Sequence, residues 1–144
     1  MAVIGFDLRS EANLETMTVD VLRTSAIEGE VLDQEQVRSS LARRLGLDVS
    51  GAPNTDRHVE GIVEMMLDAT QNCNGKLTAD RLFGWHAALF PTGRSGMLKL
   101  LVGKWRDDST GPMQVVSGPM RREKVHYQAP AVARLKKEMS AFIN

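Results

Sequence analysis

The residues best placed to act together in this chain are Thr24, Ser25, Glu28 and Gly29, within the run Leu22-Arg23-Thr24-Ser25-Ala26-Ile27-Glu28-Gly29-Glu30. In a helix, Thr24 and Glu28 stand one turn apart on the same side, so a hydroxyl and a carboxylate can face one cation or one ligand. Met17, Val21, Thr24 and Glu28 are spaced by four, three and four residues, which puts the pair in line with two apolar side chains. A carboxylate on a buried stripe demands a cation, in this chain or on another, because an unpaired buried charge is costly. The plainer alternative is that the helix rolls near its end and leaves Glu28 in water. Gly29 is either the helix stop or a point where another backbone or a ligand comes close.

Other reactive side chains carry less. The run His86-Ala-Ala-Leu-Phe90-Pro-Thr-Gly93-Arg94 has a histidine followed by Phe, Gly and Arg. It has no acid to hold magnesium and no Gly-Asn-Gly turn to cradle phosphate through backbone N–H groups. His86 is therefore expected to pack on a core helix. Residues 91–96 are a tight connecting loop, although two glycines and a basic residue can also bind an anion. His58 has no second His or Cys at metal spacing and reads as a surface histidine, so no metal ligands are assigned. Cys73, the single cysteine, lies among Asn72, Asn74 and Gly75 as a loop thiol.

The elements that must position these residues are mainly helical. A first helix is expected over residues 11–28. Asp33 with Gln36 makes a capping box for a second, with Leu32 and Val37 as a hydrophobic staple. Val37, Leu41 and Leu45 form its stripe, Gly46 ends it, and Arg38, Arg43 and Arg44 fall on a solvated face. Residues 48–53 read as a loop. A third helix spans 56–70, with Val59, Ile62, Val63, Met66 and Thr70 on one side. Its interior Gly61, costing about 1 kcal/mol relative to alanine, marks close helix packing. Thr78 caps a fourth helix over 79–90 whose inner face carries Leu82, Trp85, His86, Leu89 and Phe90.

Beyond Met97 the periodicity changes. Residues 99–102 and 104–106 are short enough to be extended, and 107–112 is turn-rich. Residues 113–117 and 120–127 read as two strands about a Gly118-Pro119 turn, a β-hairpin. Pro130 opens a last helix with the stripe Val132, Leu135, Met139, Phe142 and Ile143. That stripe reaches Asn144 without a stop signal, which predicts a helix that continues past it.

The chain is long enough for one domain, and with 42% apolar residues it can build a modest core. Its net charge of zero supplies no electrostatic footprint for nucleic acid or for an anionic membrane. No apolar run approaches the ~20 residues needed to span a bilayer, and residues 1–6 are too short for a signal-peptide core. One cysteine permits no intrachain disulfide, which suits a reducing cytoplasm.

Thr24-x-x-x-Glu28-Gly29 resembles the inhibitory motif [ST]-x-x-x-E-[GN] of Fic (filamentation induced by cAMP) proteins. Residues 24–30, 37–47, 82–96, 103–106 and 113–128 come in the order found in bacterial Fic proteins with an N-terminal inhibitory helix, so the resemblance runs from Glu11 onward. The family's catalytic motif, H-x-F-x-[DE]-G-N-G-R, is not among these residues. The resemblance implies a mainly α fold, a Fic-like helical bundle with one β-hairpin, the flap (residues 113–127). It divides the chain into an inhibitory helix region, 1–32, and the N-terminal part of the Fic domain, 33–144.

Fic enzymes use ATP and magnesium to transfer AMP to a hydroxyl side chain of a target protein. The resemblance implies that Glu28 pairs with an arginine of the catalytic motif and fills the space the γ-phosphate needs, with Thr24, Ser25 and Gly29 completing the inhibitory motif. Gln114, Val115 and Val116 become the flap residues that register an extended target by strand addition. Without the catalytic motif, this chain alone is expected to be inactive and to bind no cofactor tightly. Its expected partners are a target protein and a Fic catalytic portion, with no nucleic acid and no membrane. Two other readings stay open: a stand-alone helical module that inhibits a separate Fic subunit in trans, and a helical protein-interaction domain unrelated to AMP transfer.

Overall fold

The computed structural model describes residues 2–47, 54–109 and 111–143, with side chains from Leu8 onward. In chain order it contains α1 (Ala2–Ile27), α2 (Gln34–Arg44), α3 (Arg57–Gln71), α4 (Ala79–Leu89), β1 (Arg94–Ser95), β2 (Leu98–Lys99), β3 (Gln114–Ser117), β4 (Lys124–Gln128) and α5 (Val132–Ile143). It is mainly α, as expected from periodicity, with two small antiparallel hairpins rather than one. The loop expected at 48–53 lies outside the described residues. None of the described helices is long and apolar enough to cross a membrane.

The core belongs to the first three helices. α1 contributes Leu14 and Val21, α2 contributes Val37, Leu41 and Ala42, and α3 contributes Val59, Ile62 and Val63. α2 lies between the other two, so even its Ser39 and Ser40 are buried. The buried stripe of α1 is Leu14, Thr18, Val21 and Ser25, with the expected four-three-four spacing. It is rotated by about 60° around the helix from the expected stripe through Met17, Thr24 and Glu28, and the two share Val21. Thr18 tolerates burial because its hydroxyl donates to the Leu14 carbonyl at 2.7 Å.

Local signals explain the boundaries. The Asp33 side chain caps α2 by accepting from the Gln36 N–H, Asp56 caps α3, and Thr78 caps α4. At the end of α2, the Gly46 and Leu47 N–H groups bond to the Arg43 and Ala42 carbonyls, with Gly46 at φ +71°. That is a Schellman stop. α1 begins well before the expected residue 11.

Arg38, Arg43 and Arg44 are not merely solvated. Arg38 pairs with Glu11 and Glu15 of α1, while Arg43 and Arg44 both reach Glu60 of α3. They tie α2 to its neighbours on both sides.

α3 and α4 meet where Gly61 removes the side chain. A Cβ at position 61 would lie 1.8 Å from the Ala88 carbonyl oxygen, so the two backbones are in direct contact. The other end of this pair is held by Asp68. Its carboxylate accepts from Asn72 at 2.8 Å, from Arg81 at 2.7 Å and from the Trp85 indole at 2.7 Å. Arg81 also donates to the carbonyls of Asp68, Asn72 and Gly75, closing the C-terminus of α3.

Beyond α4 the chain folds back on it. Phe83 meets Trp105 edge-on at 4.6 Å, and the Gly103 N–H donates to His86 Nδ1 at 3.3 Å. β1 and β2 form a tight hairpin, Arg94 opposite Lys99, where a connecting loop was expected. Gly96, at φ +56°, supplies the turn. Residues 104–106 form no strand. β3 and β4 are joined by residues 118–123 rather than by Gly118-Pro119 alone, because Gly118 (φ +105°) packs against the Arg122 carbonyl and widens the turn.

Two stability predictions follow from the α3–α4 contact. Gly61→Ala must separate the helices, and overpacking outweighs the gain in helix propensity. We expect a net loss of about 2 kcal/mol in urea denaturation, against no loss if the backbones can part freely.

The second concerns Asp68, whose pKa is lowered from 3.8 to about 2 by its bonds to Asn72, Arg81 and Trp85. A depressed carboxyl stabilises the fold above its unfolded value, and that stabilisation disappears as pH falls through the folded value. The difference in Tm between the native protein and Asp68→Asn should therefore shrink between pH 4 and pH 2. A difference independent of pH in that window would mean that the Asp68 charge contributes nothing.

Candidate functional site

α1 ends at the residues singled out by the sequence. The Gly29 N–H donates to the Ala26 carbonyl at 3.1 Å and the Glu30 N–H donates to the Ser25 carbonyl at 2.9 Å. With Gly29 at φ +83°, this is a second Schellman stop, and Glu28 is its capping residue. Gly29 is thus the helix stop; a Cβ there would meet nothing within 4 Å. Gly, and to a lesser degree Asn, tolerates the left-handed conformation that this stop requires.

The four motif residues divide. Ser25 is buried and faces the core, while Thr24, Glu28 and Gly29 face solvent. Neither the Thr24 hydroxyl nor the Glu28 carboxylate has a side-chain partner among the described residues. Of the two readings the pattern left open, a paired buried carboxylate and a solvated one, Glu28 follows the second and stands in water. Glu28 is bracketed instead by Ile27, 83% exposed, and Val31, 95% exposed. An acid between two exposed apolar side chains was not foreseen. The signal was present in the sequence, but the displaced stripe hid it.

From the same turn, Glu30 approaches His58 Nε2 of α3 at 3.6 Å. The two line an open groove of about 270 Å³ together with Arg57, Phe90 and Arg94. His58 is thus a partly covered partner of the turn rather than an isolated surface histidine.

The second expected site is the β3–β4 hairpin. Gln114, Val115 and Val116 pair with Gln128, Tyr127 and Val125, and the ladder is interrupted by a bulge at Val115/Val116 that leaves His126 over. His126 Nε2 and the Ser117 hydroxyl share a hydrogen bond at 2.6 Å across the strands. Every residue of both strands is exposed. The hairpin does not bury an apolar face against the bundle, as an ordinary packed hairpin would. Isolated two-stranded hairpins are marginal in water. Gln114 to Gln128 side-chain bonding and the Ala129 N–H to Met113 carbonyl bond close its open end.

His86 is packed as expected, its ring edge-on to Phe90 at 5.1 Å. Among the described residues, no group of three or more His, Cys, Asp or Glu side chains is placed to hold a metal ion. Cys73 is exposed.

The glycine stop yields a graded prediction. Gly29→Ala should lower stability by about 1 kcal/mol through positive φ alone, and Gly29→Asn by less, measured by chemical denaturation. Equal losses for the two would show that a contact, not backbone conformation, selects this residue.

Residues 1–47 match the family described as "Domain of unknown function (DUF4172)". The match covers α1 and α2 together and ends on Leu47, the last bonded residue of the α2 stop. No curated protein matches the chain. The recurrent unit to which this chain is similar is therefore the α1–α2 helical hairpin that carries the Thr24–Glu28 turn.

Proposed function

We propose that this chain is the regulatory and target-docking portion of a Fic protein, which transfers AMP from ATP to a hydroxyl side chain of a target protein. The observation that carries this reading is the state of Glu28. Its carboxylate and the Thr24 hydroxyl stand on a rigid, glycine-terminated turn, exposed and without side-chain partners among the described residues. An acid so presented fits an arginine supplied by the portion that bears the catalytic motif. Ile27 and Val31 flank it with apolar surface that association would cover. Desolvating the pair strengthens it. The fully exposed hairpin supports the docking role: Gln114, Val115 and Val116 keep both strand faces open to an extended segment. The single exposed Cys73 suits a cytoplasmic protein.

In this reading ATP and magnesium are bound by the portion that carries the catalytic motif, whose phosphate-binding turn is not among these residues. This chain's own residues are assigned only to inhibition and docking; the chemistry belongs to the motif-bearing portion.

The test is Glu28→Gly in a chain that includes the motif. AMP transfer to target, followed with labelled ATP, should rise by about tenfold or more, the scale of an ordinary coupling free energy. Unchanged transfer would sink the inhibitory role.

A further inference from the structure

The Thr24–Glu28 turn is not held in place by α1 alone. α1 packs mainly on α2 and touches α3 over only a few residues. Where the turn sits relative to the rest of the chain is therefore set by the seam between α2 and α3. The apolar part of that seam is Val37, Leu41 and Ala42 against Val59, Ile62 and Val63. Its polar part converges on one side chain. Arg43 donates to Glu60 at 2.7 Å, Arg44 donates to the other Glu60 oxygen at 3.2 Å, and Arg44 also reaches Glu64 at 3.3 Å. Arg43 bonds Thr55 as well.

Glu60 is 31% exposed, so these pairs are less screened than surface ion pairs. Partial burial works to raise its pKa, but the bonds and charge of Arg43 and Arg44 outweigh that and hold it below the ordinary carboxylate value. Ser40 is fully buried on α2. Its hydroxyl finds no hydrogen-bond partner among the described residues, so two α2 side chains, Arg43 and Arg44, bear on this α3 carboxylate. A second tie runs from the turn itself, Glu30 to His58.

We infer that Glu60 is the positioning residue of the inhibitory turn: it clamps the α1–α2 hairpin to α3, and releasing it frees residues 1–47 as a unit. The inference rests on the inhibitory reading above for its functional half. A helical hairpin held by one apolar seam and by polar ties that centre on Glu60 can move away without unfolding α3–α4, which have their own contacts at Gly61, Asp68 and Trp85. Inhibition would then be lifted with Thr24 and Glu28 intact. The segment that recurs as a domain ends where this movable unit ends.

The experiment combines hydrogen exchange on the 144-residue protein with AMP transfer by the motif-bearing chain, for Glu60→Ala and Glu28→Gly side by side. For E60A, amides of residues 14–27 and 37–44 should lose protection by about tenfold or more, while residues 64–68 and 82–89 keep theirs. E28G should leave exchange unchanged. In the longer chain, E60A should raise AMP transfer as E28G does, and Glu60→Asp, which keeps the charge, should restore part of the inhibition. Loss of protection in all four helices together, or in none, overturns the clamp. Local loosening without a rise in transfer, where E28G does raise it, overturns its regulatory role. If E28G is itself silent, the failure belongs to the inhibitory reading, and the exchange result alone decides whether Glu60 clamps the hairpin.

Discussion

Two antiparallel helices cannot cover their own apolar stripes, and α1 with α2 is no exception. Val37 and Leu41 are completely buried only because α1 lies on one side of α2 and α3 on the other. Each such side chain contributes on the order of 1.5–3 kcal/mol, and together they fix the order of packing in the bundle. Ser39 and Ser40 are small enough to let the helices approach. Their burial is the cost of placing a short helix in the centre. The direction in which α1 ends, and hence where Glu28 stands, follows from this arrangement rather than from any contact made by Glu28.

The remainder of the chain is built differently. α4 is bound to α3 by backbone proximity and by a polar knot around Asp68, and none of its residues is fully buried. β3, β4 and α5 have no buried residue either. α5 keeps the stripe Val132, Leu135, Met139 and Phe142 with little to cover it; Phe142 is 71% exposed. The molecule thus has a buried end and an open end. Under the docking role proposed above, the hairpin must leave its ladder unpaired on at least one edge, and an open end is where such an edge can persist.

Much of the helical architecture was legible because helix ends are written in few residues. Asp33 with Gln36, Asp56, Thr78, Gly29 and Gly46 each mark a boundary through one side-chain or backbone requirement. Gly61 was legible as a close contact for the same reason. What could not be read was phase. The Leu14–Thr18–Val21–Ser25 stripe contains two hydroxyl residues, so the apolar pattern pointed to a neighbouring stripe and left Glu28 undecided between core and water. The β1–β2 hairpin was too short to leave a period. The ion pairs of Arg38, Arg43 and Arg44 join residues distant in sequence, and no local pattern announces them. At the candidate site, the Gly29 helix stop was legible, while the exposed apolar pair Ile27 and Val31 beside Glu28 was not.

The meeting of Gly61 with Ala88 has a consequence for how this bundle can vary over generations. The contact is made by the Ala88 carbonyl, which every amino acid possesses, and not by its methyl group. The two positions are therefore unequal partners. Position 61 is pinned by the backbone of position 88, and no exchange of the side chain at 88 can make room for a side chain at 61. Relief must come from residues that set the spacing of α3 and α4 further along, such as those around Asp68 and Trp85. Compensation across this interface is expected at a distance, not face to face.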